Sequence, residues 1–139
     1  MKKITPQREN EFMIAELFEE VTGISIVPVE SSYCLFNFWN KHERVAVEIK
    51  ARNSYKSTEF RTTYLSTKKL DKLFKLTGEN VKTYLVVAWS DATGILNITH
   101  KNYRLRSHNL PNVVYEIPVS EFYMYRALKL KPTKNRKRK

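Results

Sequence analysis

A nearly continuous apolar run at residues 84–89 constrains the fold of this chain more than any other part of its sequence. The run consists of Tyr, Leu, Val, Val, Ala and Trp, which is typical of a strand buried on both faces. Such strands lie in parallel sheets, where the neighbouring strand is reached through a helical crossover. The run therefore predicts an α/β domain with a central strand at residues 83–89.

Residues 45–52, of sequence VAVEIKAR, form a second predicted strand with a clear alternation. Because successive side chains of a strand point to opposite faces, one face is apolar and the other carries Ala46, Glu48, Lys50 and Arg52. A carboxylate and an ammonium group thus lie side by side on a rigid element. Two interpretations are open: an exposed strand with an ordinary ion pair, or an acid–base pair with a chemical role.

An amphipathic helix is predicted at residues 8–22, and Gly23 ends it. At about 100° per residue, Glu11 falls in the middle of the apolar stripe that contains Ile14 and Phe18. A carboxylate there is unfavourable unless it reaches past the helix end, finds a partner or binds a cation. Since Glu11 lies in the first turn, it could also favour the helix dipole, so a structural and a functional role are both open.

The rest of the pattern places further strands and helices around these elements. Residues 52–63 are polar and are predicted to form a loop or an extended arm beside the end of the strand at residues 45–52. The other predicted elements are strands at residues 24–29, 33–39 and 95–99, a helix that begins at Ser66 or Thr67 and ends at Gly78, an edge strand at residues 113–117 and a short helix at residues 120–128. The order predicts a single three-layer αβα domain over residues 1–128, with a mixed sheet of about five strands.

Composition indicates one folded domain without a membrane-spanning segment. Hydrophobic residues make up 42% of the chain. No apolar run approaches the roughly 20 residues of a transmembrane helix, and the first residues lack the apolar core of a signal peptide, so we expect a cytoplasmic protein. The single cysteine, Cys34, excludes an internal disulfide and has no cysteine or histidine at zinc-ligand spacing.

The net charge of +11 predicts a polyanionic partner, since clustered lysines and arginines bind phosphates by releasing condensed counterions. Residues 129–139 carry seven of the positive charges and no acid, which leaves +4 on residues 1–128. This tail is predicted to be disordered and to contact phosphates through Arg136, Lys137 and Arg138. The alternative is a tail that only increases solubility.

With Glu-x-Lys on the third predicted strand, residues 9–99 resemble the PD-(D/E)XK nuclease superfamily. In size and layout, the chain is similar to the small phage nucleases and the Holliday junction resolvases of that superfamily. The resemblance implies a restriction-endonuclease-like core and an enzyme that uses Mg²⁺ or Mn²⁺ to cut DNA. Glu48 and Lys50 match the third-strand motif, Glu11 matches the acid of the first helix, and Lys68 resembles the basic residue on the following helix. The resemblance also implies a homodimer in the cytosol of a bacterium or a phage-infected host.

Phosphodiester hydrolysis explains why these residue types are needed together. The reaction requires an activated water and neutralised charge on the phosphoryl oxygens, which a cation held by carboxylates supplies. Glu48 and the Ile49 carbonyl are the predicted metal ligands, and Lys50 could orient or deprotonate the water or stabilise developing negative charge. Glu11 could hold a coordinated water or a second cation. Contacts to backbone phosphates are predicted for Arg52, Lys56, Arg61, Lys68 and Lys72.

One position departs from the family pattern. The acid expected on the second strand falls where this chain has Cys34, fourteen residues before Glu48, and a thiol is a poor ligand for Mg²⁺. Glu30 could reach the site from the preceding turn, Glu11 could replace the missing ligand, or the site could be degenerate. Cys34 itself could bind a softer metal or could be a small buried residue.

The sequence therefore leaves three possible functions, which belong to different classes. The first is a divalent-metal-dependent DNA endonuclease, which could select branched DNA. The second is a noncatalytic nucleic-acid-binding protein that keeps the nuclease fold. A third is a small RNA-binding protein that stacks bases on Phe36, Phe38, Trp39 or Trp89, although such side chains more often fill cores.

Overall fold

A computed structural model describes residues 5–29, 37–101, 103–109 and 112–132. Its helices are α1 (Pro6–Thr22) and α2 (Thr67–Thr77), and a short 3-10 helix follows at Val119–Glu121. The strands are β1 (Val27–Pro28), β2 (Phe38–Asn40), β3 (Val45–Arg52), β4 (Thr62–Ser66), β5 (Lys82–Trp89), β6 (Thr93–Asn97), β7 (Arg104–Asn109), β8 (Asn112–Pro118) and β9 (Tyr123–Tyr125). In this part of the chain, neither helix has the length and apolar character needed to span a membrane.

Six of these strands form one mixed sheet in the order β1-β2-β3-β5-β6-β9. β3 and β5 are parallel neighbours, whereas the other pairs are antiparallel. The connection from β3 to β5 runs through β4 and α2, which confirms the central strand and the helical crossover predicted from residues 84–89. The prediction of about five strands is wrong for the described residues, because β9 adds a strand at the far edge.

The six-stranded sheet separates two apolar cores. α1 packs through Ile14 and Phe18 against the face that carries Val47. The opposite face packs against Leu70 and Leu73 of α2. Helices thus cover both faces, as the α/β pattern predicts.

The layer that contains α2 also contains a second sheet, in the order β4-β8-β7, which the sequence pattern does not predict. Leu65 of β4 and Ile117 of β8 join the α2 core. β8 is the middle strand of this sheet, so the prediction of an edge strand at residues 113–117 is wrong. The Tyr115 hydroxyl donates to Asp71 of α2 at 2.5 Å, and this hydrogen bond raises the pKa of Tyr115 to about 12.

α1 begins two residues before the predicted start because its first turn has strong local signals. The Thr5 hydroxyl accepts a hydrogen bond from the Arg8 N–H at 3.1 Å, and Pro6 occupies the first helical position. Gly23 ends the helix with a φ of 74°, and its N–H donates to the Glu19 carbonyl. β1 is shorter than the predicted strand at residues 24–29.

The helix predicted at residues 120–128 is wrong. One 3-10 turn ends at Glu121, and β9 then pairs with β6, Tyr123 opposite Ile95 and Met124 opposite Gly94. Aromatic residues favour strands, and pairing with β6 outweighs the weak helical periodicity of this segment. A Cβ at Gly94 would lie 2.8 Å from Trp89 Cζ3 and 2.9 Å from Phe122 Cδ2, so glycine allows the aromatic contact that docks β9.

Residues 126–132, here named the C-terminal strap, lie against α1. The side chain of Asn10, fully buried, donates to the Lys131 carbonyl and accepts from the Lys131 N–H, both at 2.8 Å. Leu128 and Leu130 pack against the α1 core. Residues 133–139, with the predicted contacts Arg136, Lys137 and Arg138, lie outside the described residues, and the domain boundary at residue 128 stays a prediction.

Candidate active site on the third strand

β3 places the predicted acid and base on one face of the sheet. Ala46 on this strand joins the α2 core, whereas Val47 and Ile49 join the α1 core. Glu48 lies opposite Leu85 of β5, another member of the α2 core. The side chains of Glu48 and Lys50 therefore point towards the layer that contains α2 and the second sheet.

The carboxylate of Glu48 and the ammonium group of Lys50 form an ion pair. Lys50 Nζ lies 3.4 Å from Glu48 Oε2. Glu48 is fully buried, whereas the Lys50 side chain is 29% exposed. The acid is thus held away from bulk water, and the base connects it to the surface. Burial of a carboxylate is unfavourable by itself, and the lysine offsets part of that free energy.

The backbone beside Glu48 is fixed by Asn37, which the sequence patterns did not single out. Asn37 Oδ1 accepts from the Ile49 N–H at 2.7 Å, and the Asn37 N–H donates to the Val47 carbonyl at 3.1 Å. The N–H and C=O of a strand residue point to the same edge, so the Ile49 carbonyl also faces the β2 side of β3. No local pattern marks Asn37, because its partners are ten and twelve residues further along the chain.

Arg52 continues the same face of β3 but makes a structural contact. Its Nη2 donates to the Tyr64 carbonyl at 2.7 Å, which ties the end of β3 to β4. The phosphate contact predicted for Arg52 stays a prediction.

Glu11 does not contact Glu48 or Lys50 within the described residues. α1 covers the opposite face of the sheet, and Arg8 Nη1 lies 2.9 Å from Glu11 Oε1. The Arg8 guanidinium also stacks on the rings of Phe12 and Phe38, at 5.3 and 5.6 Å from their centroids. Glu11 has therefore found an ionic partner, one of the structural explanations that its sequence position left open, and its catalytic role stays a prediction.

The predicted phosphate-binding residues within the described part of the chain lie on the surface. Lys56 and Arg61 are exposed on the segment between β3 and β4, and Lys68 and Lys72 are exposed on α2. Both elements belong to the side of the sheet towards which Lys50 points. Glu30 and Cys34 lie outside the described residues.

Comparison with known proteins adds a family to this geometry. The model of one protein family, described as "Phage putative PDDEXK endonuclease", matches residues 6–109, about three quarters of the chain. The chain belongs to this family. No curated protein and no solved structure matches it. The matched range of this PDDEXK endonuclease family runs from α1 to the end of β7 and contains Glu48 and Lys50, whereas the C-terminal strap lies beyond it.

PDDEXK nucleases generally use divalent metals, and the oxygen donors of β3 fit that requirement. The Glu48 carboxylate and the Ile49 carbonyl are ligands of the kind that Mg²⁺ prefers. Among the residues that the structure describes, however, no three His, Cys, Asp or Glu side chains come together as a metal-binding group. In the described part of this PDDEXK protein, the donors identified at β3 are therefore the Glu48 carboxylate and the Ile49 carbonyl.

Proposed function

We propose that this protein is a divalent-metal-dependent endonuclease that hydrolyses phosphodiester bonds in DNA, with Glu48 and Lys50 as its catalytic pair. The observation that supports this most is the ion pair between a fully buried carboxylate and a partly exposed lysine on β3. Membership of a PDDEXK endonuclease family supports the same reaction. Branched DNA is one candidate substrate in this proposal beside linear duplex DNA, and a homodimer is one candidate form of the enzyme.

The residues of β3 have separate tasks in this reaction. Glu48 and the Ile49 carbonyl hold the cation, which supplies charge neutralisation and an activated water when bound. Lys50 reaches from the buried acid to the surface, where it orients or deprotonates the attacking water or stabilises negative charge on the phosphoryl oxygens. Asn37 fixes the Val47–Ile49 backbone that presents both groups. Glu30 is the proposed further ligand; Glu11 stays a candidate from its sequence position alone, because α1 lies on the opposite face of the sheet and Arg8 pairs with its carboxylate.

A noncatalytic nucleic-acid-binding protein is the second candidate. It is favoured by the absence, among the described residues, of three clustered His, Cys, Asp or Glu side chains, together with Cys34 at the position expected for a second acid. In that case the basic surface would bind DNA, and the Glu48–Lys50 pair would be retained only as part of the core.

A panel of cations and substrates tests the proposal. We expect Mg²⁺ or Mn²⁺ to support cleavage of linear duplex or four-way junction DNA, with single-stranded DNA and RNA as comparisons. Lys50→Ala and Glu48→Ala should lower the cleavage rate by about 10²- to 10⁴-fold, because each removes a group that acts at the reacting phosphate. If Lys50→Ala does not fold, Lys50→Gln, which keeps a hydrogen-bond donor, replaces it. The matched control is Glu16→Ala, on the exposed surface of α1.

Each outcome of this panel separates the two candidates. Cleavage that Lys50→Ala retains at the wild-type rate would remove the proposed catalytic pair. Binding without cleavage under every cation would favour the noncatalytic protein. Cys34→Asp adds the acid that the family pattern expects, and in a functional but incomplete site it should increase Mg²⁺-dependent cleavage.

A further inference from the structure

The 53–61 loop (residues 53–61) joins β3 to β4 and follows Lys50 and Arg52 directly. Since β3 and β5 are parallel with Arg52 opposite Trp89, this loop and the β5–β6 turn at residues 90–92 leave the sheet at the same end. The two segments therefore meet beside the end of β3 that carries Lys50.

Asp91 in the β5–β6 turn holds the loop with both oxygens of its carboxylate. The Ser57 N–H donates to Asp91 Oδ1 at 2.7 Å, and the Ser57 hydroxyl donates to Asp91 Oδ2 at 2.9 Å. Ser57 is only 8% exposed, whereas Asp91 lies on the surface, so the two bonds join a buried position of the loop to an exposed turn. We name this pair the Ser57–Asp91 clamp.

The charge state of the clamp is stable at neutral pH. The hydrogen bond from the Ser57 backbone lowers the pKa of Asp91 from its ordinary value of 3.8. For a carboxyl group with a lowered pKa, the stabilisation is complete above the ordinary value and is lost only as the pH falls through the lowered one. The Asp91 carboxyl is therefore ionised at neutral pH and can accept both hydrogen bonds from Ser57.

Two backbone hydrogen bonds hold the ends of the same loop. The Ser90 N–H donates to the Tyr55 carbonyl at 3.0 Å, and the Val119 N–H donates to the Arg61 carbonyl at 2.9 Å. The Tyr55 ring packs edge-on against Phe60 at 5.2 Å and contacts the α2 core. The loop is thus fixed near its start, in its middle and at its end, although it has no regular secondary structure of its own.

The cations of the loop lie on the surface. Lys56 precedes the clamp and Arg61 ends the loop, and both are exposed. Lysine and arginine side chains fix the position of a nucleic acid by contacting its phosphates. A loop that is already ordered loses less conformational entropy on binding than a flexible one, which increases affinity.

We propose that the Ser57–Asp91 clamp presets the 53–61 loop as a phosphate-binding surface, with Lys56 and Arg61 on the DNA backbone next to the bond held at Glu48 and Lys50. The inference rests on the proposed function, because it assumes that DNA lies at β3. Asp91 is then a positioning residue. An acid so close to Lys56 would otherwise weaken the attraction for phosphates, and its removal would strengthen binding.

This opposition of effects makes the inference testable by DNA binding alone. The dissociation constant for a duplex of 20 base pairs is measured by fluorescence anisotropy in EDTA, without cleavage, for wild type, Asp91→Ala and Ser57→Ala. The clamp predicts that Asp91→Ala weakens binding about three- to tenfold, because part of the loop then loses conformational entropy on binding. Charge alone predicts equal or tighter binding. Ser57→Thr keeps both donors and should bind like the wild type.

Matched variants isolate the clamp from charge and from folding. Glu59→Ala removes an exposed acid from the same loop and should leave binding unchanged or tighter. In a Lys56→Gln background, Asp91→Ala should cause a smaller further loss than it causes alone, since the clamp then positions only Arg61. Thermal melting verifies that each variant is folded, and Asp91→Asn replaces Asp91→Ala if the latter is not.

The possible results distinguish this inference from the proposed function. Equal or tighter binding by Asp91→Ala, or full additivity with Lys56→Gln, would overturn the clamp while leaving the endonuclease intact. Failure of the wild-type protein to bind any DNA would overturn both. Weaker binding by Asp91→Ala beside unchanged binding by Glu59→Ala supports the clamp whether or not the protein cleaves.

Discussion

At the scale of single residues, the interpretation of β3 as an active site depends mainly on Glu48. A fully buried carboxylate is unfavourable, and an apolar side chain of similar volume would fill the same space on β3 at lower free energy. The ion pair with Lys50 offsets only part of this unfavourable free energy. Core packing alone therefore does not explain the acid, whereas a chemical role does.

Asn37 provides a test of how the backbone beside Glu48 is held. Asn37→Ala removes the acceptor of the Ile49 N–H, and we expect a loss of about 1–2 kcal/mol in the free energy of unfolding, because the freed amide lies at a buried position. The decisive measurement is amide hydrogen exchange. The Ile49 amide should exchange faster in the variant, while amides in the middle of β5, such as Val87, keep their protection. Unchanged protection at Ile49 would show that another acceptor replaces Asn37.

At the scale of elements, the parallel pair β3 and β5 decides where the site lies. Their common C-terminal end brings together Lys50, the 53–61 loop and the β5–β6 turn. β6 and β9 extend the sheet on the side of β5 opposite to β3. β9 pairs with β6, and Phe122, just before β9, packs on Trp89 next to Gly94.

The contact at Gly94 predicts a large effect for a small substitution. Gly94→Ala places a methyl group 2.8 Å from Trp89 and 2.9 Å from Phe122, and we expect it to destabilise the fold by about 1–3 kcal/mol through overpacking. Gly78→Ala is the matched control, since its Cβ would meet only the Lys75 carbonyl at 3.4 Å. Urea denaturation measures the free energy of unfolding of the two variants. Equal values would mean that β9 shifts to accommodate the methyl group without a loss of stability.

The elements also show what the sequence could and could not predict. α1, α2, β3, β5 and β6 were predictable because each has an apolar pattern of its own, and Gly23 marks the end of α1. β4 and β7 are polar, and pairing with β8 makes them strands, which no local pattern reveals. The Glu48–Lys50 pair is visible because its members are two residues apart. Ser57 and Asp91 are 34 residues apart, so only the fold brings them together.

At the scale of the whole molecule, the C-terminal strap connects the basic end of the chain to the site. Lys131 is held by Asn10 and forms an ion pair with Glu9, both on α1. The Asn53 side chain, just after β3, also donates to the Lys131 carbonyl at 3.5 Å. The chain therefore leaves the described domain beside the end of β3 from which the 53–61 loop departs. Residues 133–139, which follow Pro132 directly, contain five lysines and arginines.

This position leads to a prediction about salt dependence. A protein truncated after Pro132 loses five positive charges but keeps the Asn10–Lys131 hydrogen bonds, so its melting temperature should be unchanged. Each phosphate contact contributes about 0.9 to the slope of log K against log salt concentration, so truncation should reduce the slope by up to about 4.5. Anisotropy titrations between low and moderate salt measure this slope. Replacement of the five residues by glutamine is the matched control, because it removes the charge and keeps the length. If the truncated protein and the glutamine variant both retained the wild-type slope, the tail would not contact phosphates and would act only on solubility.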